Sequence, residues 1–189
     1  MDAQIVYKDM SKGQVEACRD LCNALMQLQY ERATKYKDIL GAMSYENRLK
    51  PAFEAAEQRF LNIAYDGERP VGYIFCEAGI VTECDKRARP NWAERFPADA
   101  EGLYPQDLPT PVVASHLNNL YVLPEYRKLH IGKELMTRGM DWLRSVPDVR
   151  YAFVHVSNGN NAGTLYEKYG FRYSHSVYAG MIDAYVLEL

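Results

Sequence analysis

The stretch HLNNLYVLPEYRKLHIGKELMTRGMDWL, residues 116–143, decides the fold. Its first part has the apolar and strand-favouring residues of a β-strand, and Pro124 ends that strand. A short basic loop follows, and a helix is predicted to begin at Ile131. The apolar residues on one face of this helix are Ile131, Leu135, Gly139, Trp142 and Leu143. The sequence therefore predicts a strand, a positive loop and a helix in direct succession.

The loop before this helix is a candidate phosphate site. The free N–H groups of a helix N-terminus and the helix dipole both favour an anion at that position. Gly132 would let the backbone approach a ligand closely. Arg127, Lys128 and Lys133 place positive charge around the same point. The alternative is an ordinary strand–helix unit without a ligand, in which a single glycine is common.

The same stretch resembles the acetyl-CoA-binding motif of the GNAT superfamily of N-acetyltransferases. That motif is an apolar strand, V-x-P-x-x-R, R/Q-x-x-G-x-G/A and a helix. The matching residues are Val122, Pro124, Arg127, Ile131 and Gly132. His130 stands where the family has its first glycine, and histidine tolerates a positive φ better than most non-glycine residues do.

A second stretch, NNAGTLYEKYGF at residues 160–171, resembles the family pattern N-x-x-A-x-x-L-Y-x-K-x-G-F. The matching residues are Ala162, Leu165, Tyr166, Lys168, Gly170 and Phe171. The asparagine of the pattern is displaced, because Gly159 occupies its position between Asn158 and Asn160. Two motifs in the family order, about the family distance apart, are more specific than either motif by itself.

The pattern and the resemblance together imply an α+β fold with a mixed, mainly antiparallel sheet of six to seven strands flanked by helices. We interpret residues 1–189 as a single domain of this type. It carries a Pro- and aromatic-rich insertion at about 79–111 that shapes the acceptor pocket or is a surface insertion without a role. The predicted strands cover 4–7, 60–65, 71–77, 116–122, 151–156, 171–178 and 181–187. The predicted helices cover 12–29, capped by Ser11, and 45–58, 131–143 and 162–169.

In the family, the strand ending here at Val122 and the strand over 151–156 splay apart, and the pantetheine arm of acetyl-CoA bonds to strand backbone in the gap. The resemblance thus implies that the cofactor contacts strand backbone, the basic loop and the second motif. The implied cofactor-binding residues are Leu120, Tyr121, Val122, Arg127, Lys128, Leu129, His130, Ile131, Gly132, Lys133, Asn161, Thr164, Tyr166 and Lys168.

Acetyl transfer requires that the amine lose a proton and that the leaving thiolate gain one. The tyrosine that serves as the acid in the family maps onto Tyr166, and a phenol is a reasonable donor to a thiolate. His116 and Glu77 are the candidate bases. Arylalkylamine acetyltransferases carry two histidines before a similar strand; His116 matches the first, and Asn118 replaces the second. Strand alternation would place His116, Asn118 and Leu120 on one face. For each candidate the alternative is a structural role.

Composition and charge argue against several other classes of function. The chain has 189 residues, 48% hydrophobic and 25% charged, which is typical of a soluble globular domain. A net charge of −3 argues against nucleic-acid and anionic-membrane partners, and no apolar run is long enough to span a bilayer. Four cysteines without a second Cys/His pair at metal spacing predict a reduced, cytoplasmic chain with no metal. His155 and His175 are interpreted as strand residues with ordinary partners.

The sequence therefore predicts an acetyl-CoA-dependent N-acetyltransferase. The acetyl group would move to a primary amine of a small molecule or peptide by direct attack through a tetrahedral intermediate. A non-catalytic acyl-CoA-binding sensor or interaction module is the alternative. An acidic excess in and near the insertion favours a cationic acceptor, and edge strands near the C-terminus could pair in a homodimer.

Overall fold

A seven-stranded sheet lies at the centre of the computed structural model, which describes residues 4–189; residues 1–3 of the predicted domain lie outside it. The strands are β1 Ile5–Asp9, β2 Gln58–Asp66, β3 Arg69–Val81, β4 Val112–Val122, β5 Val149–Ser157, β6 Arg172–Val177 and β7 Ile182–Glu188. Their order across the sheet is β1, β2, β3, β4, β5, β7, β6. Neighbouring strands are antiparallel, except that β4 and β5 run parallel. The predicted α+β fold with a mainly antiparallel sheet is confirmed.

Helices in the described residues cover both faces of the sheet. They are α1 Arg19–Arg32, α2 Lys37–Gly41, α3 Leu49–Ala55, α4 Glu83–Arg87, α5 Ile131–Ser145 and α6 Gly163–Glu167. α5 packs on one face, where its apolar side chains share a hydrophobic cluster with β3, β4 and β5. α1 and α3 pack on the other face against β2 and β3. Each large apolar side chain buried in these clusters contributes about 1.5–3 kcal/mol.

The helix predicted from Ile131 onward is α5, and its apolar spacing explains how it packs. Ile131, Leu135 and Leu143 have no exposed surface, because the helical period brings all three to the sheet side. A Cβ atom at Gly139 would lie 2.3 Å from the Cδ1 of Ile74. Glycine therefore lets α5 approach β3 closely.

The N-terminal part of the chain departs from the predicted elements. Ser11 does not cap a helix, because α1 begins only at Arg19, after a short 3-10 turn. The Ser11 hydroxyl donates instead to the Asp9 carboxylate and accepts from the backbone N–H of Leu61, which fixes the turn after β1 against β2. The helix predicted over 45–58 is limited to α3, since β2 begins soon after it.

The segment between β3 and β4 covers the sheet face opposite α5. β3 continues to Val81, so this insertion spans 82–111 and does not start at 79. It contains α4, whose first turn is closed by a capping box between Thr82 and Asp85. Apolar side chains of the insertion share clusters with residues of β5, β6 and β7. The insertion is thus a packed part of the fold.

Two histidines hold the insertion against the sheet. The Nε2–H of His155 on β5 donates to the carbonyl of Leu103 at 2.8 Å, and the Nε2–H of His175 on β6 donates to the carbonyl of Gly102 at 2.8 Å. Each of these hydrogen bonds links residues more than fifty positions apart in the chain.

Candidate active site

β4 and β5 separate part-way along their length. Their parallel pairing begins at Val113 and ends where Leu117 faces Val154, although β4 continues to Val122 and β5 to Ser157. The β5-facing edge at the end of β4 therefore has no strand bonded to it. A backbone edge of this kind can accept an extended ligand in the way that it would accept a further strand.

A β-bulge lies at the point where the two strands separate. In the pairing of β3 with β4, Phe75 faces Asn119 and Cys76 faces Leu117, so Asn118 is an extra residue. Asn118 and Asn119 both line a cavity on the face opposite α5, together with His116. Leu120 instead packs in the cluster on the α5 face. The prediction that His116, Asn118 and Leu120 share one face is therefore wrong for Leu120, because the bulge breaks the alternation.

The N-terminus of α5 presents free backbone donors. His130 precedes the helix in the left-handed region, with φ 60° and ψ 9°, and no side chain caps the helix. The hydrogen bond from the N–H of Glu134 to the carbonyl of His130 is the first of the helix. The N–H groups of residues 131–133 thus have no acceptor within the helix, as at helix N-termini generally.

Positive side chains surround these donors. Arg127, Lys128 and Lys133 are exposed, and none of them forms an ion pair with another residue in the range 4–189. The Nε of Arg127 donates to the carbonyl of Val122 at 3.2 Å, at the end of β4. A Cβ atom at Gly132 would meet only the Cγ2 of Val122, at an ordinary 3.7 Å. Packing therefore does not require a glycine at this position; close approach of a ligand to the backbone would explain it.

The second motif lies on and around α6, and its Ala162 and Tyr166 pack in the hydrophobic cluster that also contains Ile131 of α5. Asn161, Thr164 and Lys168 are exposed, and Asn161 has a φ of 51°. Gly159 has a φ of 76°, and a Cβ atom there would lie 2.1 Å from the carbonyl oxygen of Arg32. The close contact with the end of α1 therefore explains why glycine occupies the position of the motif asparagine.

Tyr166 is buried on the α5 face of the sheet. It belongs to the same cluster as Leu117 and Val154, the last paired residues of β4 and β5. Burial raises the pKa of the Tyr166 phenol to about 12, and the nearby Cys76 adds to the rise. The phenol is therefore protonated at neutral pH. The nearby Cys76 is the β3 partner of Leu117, where the pairing of β4 with β5 ends.

A cavity of about 480 Å³ lies under the insertion, on the face opposite Tyr166. Glu77 on β3 and His116 on β4 are direct partners across the antiparallel pairing, and both line this cavity. The Nδ2 of Asn118 donates to a carboxylate oxygen of Glu77 at 2.8 Å. The hydroxyl of Tyr104, from the insertion, lies 2.9 Å from the Nε2 of His116. The fold thus brings both candidate bases together, each with its own hydrogen-bond partner.

A family model describing the acetyltransferase (GNAT) family matches residues 20–171. The chain belongs to the GNAT family of acetyltransferases. It is thus an acyltransferase of a family that uses acetyl-CoA and acts on amine acceptors. No curated protein matches its sequence.

Solved GNAT-like structures share the fold at low identity. The PaiA N-acetyltransferase of Thermoplasma acidophilum in complex with coenzyme A has a TM-score of 0.61 and 14% identity, covering 98% of this chain and 99% of that one. PH1933 from Pyrococcus horikoshii OT3 has a TM-score of 0.58 and 20% identity, covering 98% and 99%. Arabidopsis thaliana NAA60 in complex with acetyl-CoA has a TM-score of 0.53 and 15% identity, covering 98% of each chain.

The two candidate bases of this GNAT protein differ in their electrostatics. Burial lowers the pKa of His116 to about 3, and His155 contributes to the lowering. Burial raises the pKa of Glu77, whereas the hydrogen bond from Asn118 and the charge of Arg48 act against that rise. A base is most effective when its pKa lies near the working pH. Burial therefore shifts Glu77 towards this range and His116 away from it.

Two polar atoms at the separation of β4 and β5 have no partner within the described residues. They are the Oδ1 of Asn119 and the Oγ of Ser157, and both are buried. Both residues line the cavity. Because a buried polar atom without a hydrogen bond is costly, these atoms are suited to bond a substrate group in this GNAT site.

Most of the acidic side chains along the insertion do not line the cavity. Of the insertion's carboxylates only Asp85 lines it, and the capping box with Thr82 already engages that side chain. The guanidinium of Arg89 donates to backbone carbonyls of the insertion, those of Ala93, Phe96, Pro97 and Ala98. The acidic excess therefore gives no direct support for a cationic acceptor.

Sequence reasoning missed Tyr104 and Arg48, which also line the cavity of this GNAT protein. Tyr104 is one of 15 tyrosines and stands in no motif. Arg48 immediately precedes α3, in a region without a family pattern. Within residues 4–189, every helix is too short or too polar to traverse a lipid bilayer, and no three His, Cys, Asp or Glu side chains are placed to share a metal ion.

Proposed function

We propose that this GNAT protein transfers the acetyl group of acetyl-CoA to the primary amine of a small molecule or peptide by direct attack. The observation that carries the proposal is the separation of β4 and β5. A loop with exposed basic side chains and free backbone N–H groups follows β4, and a cavity with two candidate bases lies beside the separation. In the reaction the amine nitrogen bonds to the acetyl carbon and the thioester carbon–sulfur bond breaks. The amine thus loses one proton and the sulfur gains one.

The basic loop fits the pyrophosphate of coenzyme A. The N–H groups of Ile131, Gly132 and Lys133 would bind its oxygens, and the side chains around them would neutralise its charge. Acetyl-CoA supplies the activated acetyl group as a thioester. The further residues that we assign to its binding are Leu120, Tyr121, Val122, Arg127, Lys128, Leu129, His130, Asn161, Thr164, Tyr166 and Lys168. Backbone of the first three would bond the pantetheine arm along the free edge of β4.

Glu77 is the better candidate for the base. Its raised pKa brings it nearer to neutrality, and Asn118 orients its carboxylate. His116 has a pKa near 3, so it would bind a proton weakly; its bond to Tyr104 suits it to shape the cavity. Tyr166 would donate a proton to the leaving sulfur, because its phenol is buried and protonated near the end of the pairing between β4 and β5.

The substitution Gly132→Asp tests the cofactor site. The new carboxylate would meet the pyrophosphate at the helix N-terminus, where like-charge repulsion at about 4 Å is worth about 1–4 kcal/mol. We expect calorimetry with CoA to show about 10- to 1000-fold weaker binding, with an unchanged circular dichroism spectrum. Thr137→Asp is the matched control, since it adds the same charge at an exposed position further along α5. Equal affinity of the folded Gly132→Asp protein and the control would refute the assignment.

Turnover needs a separate measurement. Release of free CoA from acetyl-CoA in the presence of a panel of amines distinguishes an enzyme from an acyl-CoA sensor. We expect amine-dependent release. Tight CoA binding without release for any amine would instead support the sensor. The predicted homodimer stays a prediction; β6 is the edge strand that would serve it.

A further inference from the structure

Arg48 supplies an uncommitted positive charge to the cavity. Its side chain is half-buried, and its Nε is buried without a hydrogen-bond partner in the range 4–189. The guanidinium also forms no ion pair with any carboxylate of these residues. Arginine stays charged at every relevant pH and accepts no hydrogen bond. A buried donor of this kind is costly unless an acceptor atom meets it.

The charge of Arg48 acts on two other residues that line the cavity, Glu77 and His155. Burial raises the pKa of Glu77, and Arg48 is one of the two influences that oppose the rise. Burial also lowers the pKa of His155 to about 4, and Arg48 adds to that effect. Glu77 lies on β3 and His155 on β5, so the charge of Arg48 acts on lining residues from two strands of the sheet.

The other charges of the cavity are already engaged. Arg89 is bonded to backbone carbonyls of the insertion, and Asp85 is held in the capping box of α4. Glu77 and Arg48 are therefore the charged side chains left to meet a ligand. One is negative and the other positive, both line the same cavity, and no ion pair joins them. This arrangement complements a ligand that carries both charges.

We propose that the acceptor is a small zwitterionic amine, a compound of the amino-acid type, whose single carboxylate is bound by Arg48 while its amine lies at Glu77. This inference rests on the proposed function and specifies its substrate class. A cavity of about 480 Å³ suits a molecule of this size. One uncommitted guanidinium balances one negative charge, and the planar guanidinium can bond both oxygens of a carboxylate. A dianionic phosphate would be disfavoured because Glu77 and Asp85 line the same cavity.

Binding to the CoA-saturated protein tests the proposal independently of turnover. The probes are the standard amino acids and their C-terminal amides, which keep the amine and lose the carboxylate charge. A hydrogen bond to a charged group is worth about 1.5–3 kcal/mol. We therefore expect the preferred amino acid to bind about 10- to 100-fold more tightly than its amide, and kcat/KM for acetylation to show the same preference.

The variant Arg48→Gln should abolish this preference by weakening amino-acid binding to the level of the amide. Arg48→Lys, which keeps the charge, should retain part of it. Arg144→Gln is the matched control, because it removes the same charge at an exposed position near the end of α5. CoA affinity should be unchanged in all three variants.

The wild-type protein already provides a decisive comparison if a variant fails to fold. Amides or polyamines that bind and react as well as amino acids would overturn the zwitterion proposal and leave acetyl transfer standing. A folded Arg48→Gln protein that keeps the wild-type preference would overturn it as well. Tight CoA binding without acetylation of any amino acid, amide or polyamine would overturn the proposed function itself, and with it the assignment of an acceptor.

Discussion

Acidification from pH 7 to pH 5 should destabilise this protein through two histidines under the insertion. His155 donates from Nε2 to the carbonyl of Leu103, and His116 is hydrogen-bonded to Tyr104. Burial lowers the pKa of His116 to about 3 and that of His155 to about 4. Both rings are therefore neutral in the folded protein at either pH. An unfolded chain would bind protons on both, with a pKa of about 6.5.

The sign and size of the effect follow from these values. Because each folded pKa lies below the unfolded one, the stabilisation is present above about pH 6.5. It is lost as the pH falls from there towards the folded values. At pH 5 both folded values are still below the pH, so the unfolded pKa sets the loss. The unfolded pKa of about 6.5 exceeds pH 5 by about 1.5. This difference corresponds to a loss of about 2 kcal/mol of stability for each histidine and about 4 kcal/mol for both. That is a large share of a typical stability of about 5–15 kcal/mol.

Urea unfolding at pH 7 and pH 5 measures this loss. The wild type is compared with His116→Gln, His155→Gln and the double variant, each of which keeps a polar side chain but removes an ionisable group. Burial raises the pKa of Glu77, so this group adds stability to the folded protein as the pH falls. That contribution is common to all four proteins. We expect each single variant to remove about 2 kcal/mol of the pH-dependent loss and the double variant about 4 kcal/mol. A double variant that loses as much stability as the wild type, at equal m values, would refute the reasoning.

Two further substitutions test residues of the proposed cofactor site. Tyr166→Phe removes one hydroxyl, so we expect kcat to fall about 10²–10⁴-fold. CoA affinity should hardly change, because the ring that would contact the cofactor is kept; wild-type kcat in steady-state assays would show that the proton comes from elsewhere. His130→Gly relieves a left-handed residue with a φ of 60°. It should therefore raise the free energy of unfolding by about 1 kcal/mol in urea titrations, and an unchanged or lower value would contradict that strain.

The sequence predicted α5 and the loop before it because their signals are local. Ile131, Leu135 and Leu143 repeat with the helical period, and all three are fully buried. The resemblance around Gly132 likewise depends on neighbouring residues. The start of α1 was predicted wrongly for the opposite reason. Ser11 has the residue type of a helix cap, but its partners, Asp9 and the backbone of Leu61, are set by the pairing of β1 with β2.

The cavity proposed for the acceptor could not be predicted, because its contacts join distant parts of the chain. Tyr104 meets His116 only because the insertion is held on the sheet, in part by the bonds of His155 and His175 to backbone carbonyls. Arg48 enters the cavity from the turn before α3. Neither residue has a spacing pattern that a periodicity argument could detect.

The bulge at Asn118 would let one strand serve both proposed substrates. Regular alternation would place His116 and Leu120 on the same face. With one extra residue, His116 faces the cavity, while Leu120 packs with the α5 cluster that also contains Tyr166. The pairing with β5 ends at Leu117, one residue before the bulge. The change of face and the free backbone edge thus arise at the same point of β4. The proposed base and the proposed acid therefore lie on opposite faces of the sheet, with the gap between the strands connecting them.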